Sequence, residues 1–224
     1  MMTLYHCMSA RSFRPLWMLE ELGMPYDLKM MPFPPRQFAR PFLDINPLGT
    51  VPAFADGELL MTESAAICQY LAARFSPGTL DVDVSEPDFA RYLNFVHFGE
   101  ATLTFPQTLV LRYSRFESPE RQLPQVAQDY AKWFLARLRS LEPVLADQAF
   151  LCGGRFTAAD VSVGYALFLA EFLDLTSRFT PAVLAYWERL RTRPGFVRAL
   201  QSQQRAATEQ GVSLAHAPQT PAAI

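Results

Sequence analysis

The chain has 224 residues, half of them apolar and 19% charged, which suits an ordinary globular protein with room for one large domain or two small ones. A formal net charge of −2 gives no electrostatic case for nucleic acid or an anionic membrane surface as partner. Three cysteines, Cys7, Cys68 and Cys152, lie far apart without a C-x-x-C spacing, which argues against a disulfide framework, a zinc site or a dithiol centre and for a reducing, cytoplasmic setting.

The N-terminal MMTLYHCM lacks the basic and long apolar regions of a signal peptide, and no later apolar run approaches the ~18 residues that span a bilayer. Residues 2–7 have β-favouring side chains. Residues 9–23 have helical spacing through Leu16, Leu19 and Leu22, with Pro15 tolerable only in the first turn and Gly23 and Pro25 as stop signals. A short strand is expected over 26–31, then a Pro-rich loop, then a helix over 37–45 broken by Pro41. VPAFADGELLM reads as two strands joined at Asp56–Gly57, a type I′ hairpin signal, and 63–75 as a helix. The order β-α-β-α-β-β-α implies a small mixed sheet with helices on both faces, over residues 1–76.

Residues 77–86 shift to Pro, Gly, Ser and Asp, as a linker does, and no strand pattern follows. A helix is expected after a Ser85–Asp88 capping pair with Pro87 in its first turn. A long amphipathic helix is expected over 119–147, a nearly wholly apolar and therefore central one over 156–173, and two more over 181–192 and 194–204. The second domain is thus all-α, residues 87–206, and the Ala- and Pro-rich stretch within 207–224 reads as a frayed tail.

Several stretches can carry chemistry. Ser9 and Ser12 stand where the first strand meets the first helix; either can cap it, and a hydroxyl beside open helix N–H groups can also stabilise an anion. Pro52 cannot donate to a sheet, so it either starts the strand or marks a cis Val51–Pro52 bond that turns the Val51 backbone toward an extended ligand. Glu63 and Ser64 open a helix, where the dipole favours an acid, but together they could also grip an amino-acid head group. Phe156-Thr157-Ala158-Ala159-Asp160-Val161 reads as a capping box with a hydrophobic staple. His6, His97 and His216 show no metal-ligand spacing, so no metal is expected.

Taken together, NPLGTVPAF, the D-G hairpin, TESAAICQYL and FTAADVSVGY resemble the cytosolic glutathione transferases over nearly the whole chain. The resemblance implies a thioredoxin-like N-terminal domain, a helical C-terminal domain, glutathione as co-substrate and a homodimer. It implies that Val51–Pro52 is cis, that the Val51 backbone pairs with the cysteinyl part of glutathione, and that Glu63 and Ser64 hold its γ-glutamyl end. Thr50 would touch the tripeptide, and Gln37 or Arg40 would bind the glycyl carboxylate. The Ser9-to-Arg14 spacing is similar to the serine-dependent zeta and phi classes, which puts Ser9 in the catalytic position with Ser12 as rival. A free thiol titrates near 8.5, and lowering that by two units takes roughly 2.7 kcal/mol. A charge-assisted serine hydrogen bond (~1.5–3 kcal/mol) with a helix terminus (~0.3–1 kcal/mol) covers it.

The expected reaction is attack of the thiolate on an apolar electrophile, in a pocket with Phe98, Phe105 and Tyr113 as candidate lining. Alternatives on the same fold are an isomerase, a thiol-transfer oxidoreductase or dehalogenase using Cys7, and a non-catalytic glutathione-binding scaffold.

Overall fold

A computed structural model describes residues 1–219. Four strands form one mixed sheet in the order β2-β1-β3-β4. β1 (Met2–His6) runs parallel to β2 (Tyr26–Met30), with Leu4 opposite Leu28. β3 (Ala53–Asp56) is antiparallel to β1, with Phe54 opposite Leu4, and β4 (Leu59–Met61) closes a hairpin with β3. Among the hairpin loop residues only Gly57 has positive φ, at 62°. The loop is therefore II′-like rather than the expected I′, which needs two such residues.

Helix α1 (Phe13–Leu22) crosses between β1 and β2 and ends at Gly23, whose φ of 63° is the usual left-handed stop. Its Phe13, Leu16, Trp17, Met18 and Leu19 are all fully buried. A four-residue helix α2 (Pro35–Phe38) and a tight turn (Arg40–Asp44) replace the single broken helix expected there, because Pro41 withholds an N–H. α3 (Ser64–Phe75) packs on α1.

The helical half begins with α4 (Phe89–His97), which runs on through a wide π-turn segment (Phe98–Thr104) into α5 (Phe105–Leu111) and a second π segment (Arg112–Phe116). The Ser85–Asp88 capping pair does not form. Asp83 takes the Ser85 amide and hydroxyl, and Asp88 instead accepts from Gly153 N at 2.8 Å. The long helix expected over 119–147 is shorter: α6 spans Pro124–Leu138, tightens over Arg139–Leu141 and gives way to the single turn α7 (Glu142–Leu145). Pro119, Pro124 and Pro143 each fit only the start of a helix and so fix these boundaries.

Helix α8 (Ala158–Phe172) is the centre of the bundle, buried continuously from Ala158 to Ala170. Its capping box is present: Thr157 accepts from Ala159 N at 3.3 Å and Asp160 accepts from Thr157 N at 2.9 Å. Asp160 also takes Tyr186 OH and Leu151 N, yet full burial pushes its carboxyl up to about 6. Helices α9 (Pro181–Arg191) and α10 (Pro194–Glu209) complete the bundle, and α10 lies along α1. One continuous core links sheet and bundle through Trp17, Phe168, Trp187 and Phe196. Gly164 makes this possible, since a Cβ there would sit 2.8 Å from the Trp17 ring.

The C-terminal segment is not frayed over its described residues. Ala217 N donates to Met8 O at 2.8 Å, Arg115 donates to Pro218 O, and the His216 ring packs on Phe172. Residues 220–224 of the expected tail lie outside the described ones. Among the described residues no helix is long and apolar enough to cross a membrane.

Candidate active site

A cleft of about 340 Å³ opens where the two halves meet. Its walls are Ala10 and Arg11 before α1, Phe33 to Gln37 after β2, Gly49 to Val51 before β3, and Thr108 and Phe116 from the helical rod. Phe33 and Phe116 form an aromatic pair across it, centroids 5.6 Å apart. A larger hollow of about 660 Å³ is lined by Gln201, Gln204, Arg205, Thr208 and Glu209 of α10 and by Leu214.

The Asn46–Pro52 loop is locally determined. Asn46 Nδ2 donates to Thr50 O at 2.8 Å, and its Oδ1 accepts from Leu48 N at 3.1 Å. Gly49 holds φ at 61° where a Cβ would lie 2.7 Å from Arg36 Cβ, so only glycine fits. Val51–Pro52 is cis, as is Phe33–Pro34. The Val51 N–H and C=O, on the cleft wall, make no hydrogen bond among the described residues.

Behind the cleft a buried arginine joins the two halves. Arg14 is fully buried; it donates to Ser64 Oγ (3.1 Å), Thr104 Oγ1 (2.6 Å), the carbonyls of Ser162 (3.1 Å) and Gly99 (3.2 Å), and Glu100. The π segment makes this reach possible by turning Gly99, Glu100 and Thr104 toward α1; Gly99 itself sits so close to Ser162 that a Cβ would overlap it. Arg11 extends the cluster outward, with Nε on Glu100 Oε1 at 2.6 Å and Nη2 on Thr108 Oγ1 at 2.8 Å. Burial by itself would raise the Glu100 carboxyl, but Arg14 and Arg11 hold it below its ordinary value. Burial likewise disfavours the Arg11 cation, yet Glu100 and, among others, Glu63 outweigh it and raise its pKa. Glu63 is exposed at the start of α3, whose first internal bond is Ile67 N to Glu63 O. The amides of Ser64, Ala65 and Ala66 are therefore open donors beside a hydroxyl.

Both candidate serines are fully buried. Ser9 adopts φ of 54°, a left-handed conformation unusual for serine. Gln203 secures it by accepting from Ser9 N (3.0 Å) and donating from Nε2 to Ser9 Oγ (3.2 Å). Ser9 Oγ also shares a hydrogen bond with His216 Nδ1, 2.8 Å away. On the other side Gln203 Oε1 accepts from His6 Nε2 (2.9 Å), so His6 Nδ1 accepts from Ser12 Oγ (2.7 Å). The result is one hydrogen-bonded chain from Ser12 through His6, Gln203 and Ser9 to His216, in which burial favours the neutral form of both histidines. Burial dominates at His6 and lowers it to about 4, against the weaker raising effects of Gln203 and Ser12.

Two domain families match the chain: "Glutathione S-transferase, N-terminal domain" over residues 1–73 and "Glutathione S-transferase, C-terminal domain" over 110–194. A curated relative, glutathione S-transferase GstA of Escherichia coli O157:H7, is 30% identical over 172 residues, 72% of this chain and 78% of its own length. The chain belongs to the glutathione S-transferase family. Glutathione S-transferase 3 of Schizosaccharomyces pombe is 29% identical over 76% of this chain and 75% of its own. The solved structure of the glutathione transferase URE2P8 from Phanerochaete chrysosporium, with oxidised glutathione, shares the fold with a TM-score of 0.80 at 23% identity, over 92% of this chain and 96% of that one.

Within this glutathione S-transferase, Thr50, Val51 and Gln37 line the cleft. Pro52 is buried beside Val51, and Ser64 connects to the cleft through Arg14, Glu100 and Arg11. Arg40 starts the exposed turn after α2 and does not line the cleft. Phe98, Phe105 and Tyr113 also lie off its lining: Phe98 and Tyr113 pack against the core, and Phe105 is 55% exposed. Ser9 and Ser12 face the Gln203 chain instead of the cleft. Cys7, Cys68 and Cys152 are all buried, and burial pushes each thiol above its ordinary value, which removes the thiolate that an oxidoreductase course through Cys7 needs. Sequence reasoning missed Phe33, Phe116 and Thr108 as cleft walls and Gln203 and His216 as partners of Ser9. The Gln203 and His216 contacts span 194 and 207 residues, and no local pattern signals them.

Proposed function

We propose that this glutathione S-transferase binds glutathione in the interdomain cleft and delivers its thiolate to an apolar electrophile seated against Phe33 and Phe116. The observation that carries the reading is the Val51 N–H and C=O on the cleft wall, unpaired among the described residues, a backbone edge that an extended peptide satisfies with two hydrogen bonds. Glu63 receives the γ-glutamyl ammonium, and the Ser64 hydroxyl with the open α3 amides receives its carboxylate. Arg14 fixes that hydroxyl by donating to it, so the bound head group is oriented by a buried cation. Thr50 borders the tripeptide and Gln37, on the cleft wall, takes the glycyl carboxylate; Arg40 is the more distant candidate.

In the reaction the thiol proton leaves to solvent, the sulfur forms a bond to an electrophilic carbon, and that carbon's leaving group departs with its electron pair. The finer serine-dependent assignment, zeta- or phi-like, is supported by the Ser9-to-Arg14 spacing and requires the Ser9 hydroxyl to exchange Gln203 and His216 for the thiol. The unpaired, buried cysteines support a reducing cytoplasmic setting. Homodimerisation, implied by the resemblance, is checked by sedimentation at several concentrations.

The test is calorimetric titration with glutathione alongside conjugation of a chlorodinitroarene, for wild type, Ser64→Ala and Glu63→Gln. Each substitution is expected to weaken glutathione about tenfold, the effect of about 1.4 kcal/mol. Wild-type protein that binds no glutathione at millimolar concentration would overturn the proposal.

A further inference from the structure

We propose that Arg11 is the catalytic group that holds the glutathione thiolate in this chain. The proposal rests on the binding reading above. Four observations carry it.

First, Ala10 and Arg11 are the residues of the β1–α1 junction that line the cleft, on the same lining as Val51, whose backbone would hold the cysteinyl residue. Second, neither serine hydroxyl of that junction is available: Ser9 Oγ is engaged by Gln203 and His216, Ser12 Oγ by His6, and both side chains are fully buried. Third, Arg11 is aimed rather than loose. Glu100 and Thr108 from the helical rod pin Nε and Nη2, while the side chain keeps 35% exposure and Nη1 makes no hydrogen bond among the described residues. Fourth, Arg11 and Arg14 share one carboxylate, Glu100, so these three groups together carry one net positive charge, which Glu63 offsets until its own charge is met by the ligand's ammonium.

Other charged and titratable groups act on this site. Glu63 and Tyr165 interact with Arg11, and Arg36 also lines the cleft. A bound γ-glutamyl ammonium neutralises Glu63 and so strengthens the effect of Arg11 on the sulfur. Arg11 stays a cation throughout; the thiol proton goes to solvent, and the sulfur lone pair is held by the free guanidinium N–H until it attacks.

The experiment follows thiolate ultraviolet absorbance of bound glutathione against pH for wild type, Arg11→Gln, Arg11→Lys, Arg36→Gln, Ser9→Ala and Ser12→Ala. Affinity for S-methylglutathione, which has no thiol to ionise, is measured in parallel. In wild type the bound thiol is expected to titrate one to two pH units below free glutathione, a tenfold to hundredfold rise in its ionisation constant. Arg11→Gln should return it to the free value with S-methylglutathione affinity changed less than threefold, and Arg11→Lys should keep about half of the shift. Arg36→Gln and the two serine variants should move it by less than 0.3 unit. Should Ser9→Ala or Ser12→Ala abolish the shift while Arg11→Gln preserves it, the thiolate belongs to a serine and the proposal falls. A wild-type thiol that titrates normally although S-methylglutathione binds also overturns it, leaving the binding reading intact. Absence of S-methylglutathione binding to wild type would instead overturn the binding reading, and this proposal with it.

Discussion

Replacing Arg14 by methionine keeps most of the buried stem and removes the fork that ties the sheet domain to the bundle. Removing one partner of a buried ion pair costs about 3–5 kcal/mol. Here the lower end applies, because two of the acceptors keep other donors: Glu100 retains Arg11 at 2.6 Å, and Gly99 O retains Thr104 Oγ1 at 2.8 Å. Ser64 Oγ has no such substitute and loses its orienting donor. The expected loss of about 3 kcal/mol corresponds to a drop of about 6–12 °C in melting temperature for a chain of this size. It is read by urea unfolding at fixed protein concentration, with glutathione affinity measured on the same sample. Arg14→Lys should recover less than half, since an ammonium cannot serve five acceptors arranged around a planar fork. A loss below about 1 kcal/mol, the worth of an exposed ion pair, would refute the idea that this arginine locks the two halves together.

Three further outcomes follow from the core. His6 is neutral and lowered to about 4 against an ordinary 6.5, so its contribution is complete above pH 6.5 and is lost as pH falls to about 4. Asp160, raised to about 6, works in the opposite direction over much of that window, so the comparison is wild type minus His6→Asn, in which Asp160 cancels. That difference should rise by about 3 kcal/mol from pH 4 to 6.5, and a flat difference would show that His6 does not titrate as described. Gly164→Ala should destabilise by about 1–3 kcal/mol, because its Cβ meets the Trp17 ring at 2.8 Å; an unchanged melting curve would mean that α1 and α8 can separate freely. Thr157→Ala should cost about 1 kcal/mol of stability and leave glutathione affinity within twofold, with any larger binding loss pointing to a functional role for the cap.

The elements legible in the sequence are those set by local chemistry. Gly23 ends α1, the D-G pair closes the β3–β4 hairpin, prolines fix helix starts, and Thr157 with Asp160 caps α8 within a single turn. The apolar run of 156–173 announced the central helix because a helix without a polar face has to be enclosed. The cis Val51–Pro52 bond was implied by the family resemblance alone, since a proline at that point equally suits the start of a strand.

What the sequence left open depends on residues far apart in the chain. A serine beside a helix start looks the same whether its hydroxyl meets a ligand or a glutamine 194 positions later, and here Gln203 and His216 occupy Ser9. The prediction of one helix over 119–147 failed because periodicity persisted across prolines that the backbone could not thread. The cleft itself exists only in three dimensions: Arg11 faces it because Glu100 and Thr108, on a helical rod widened at Gly99, reach across from the second domain and hold its guanidinium there.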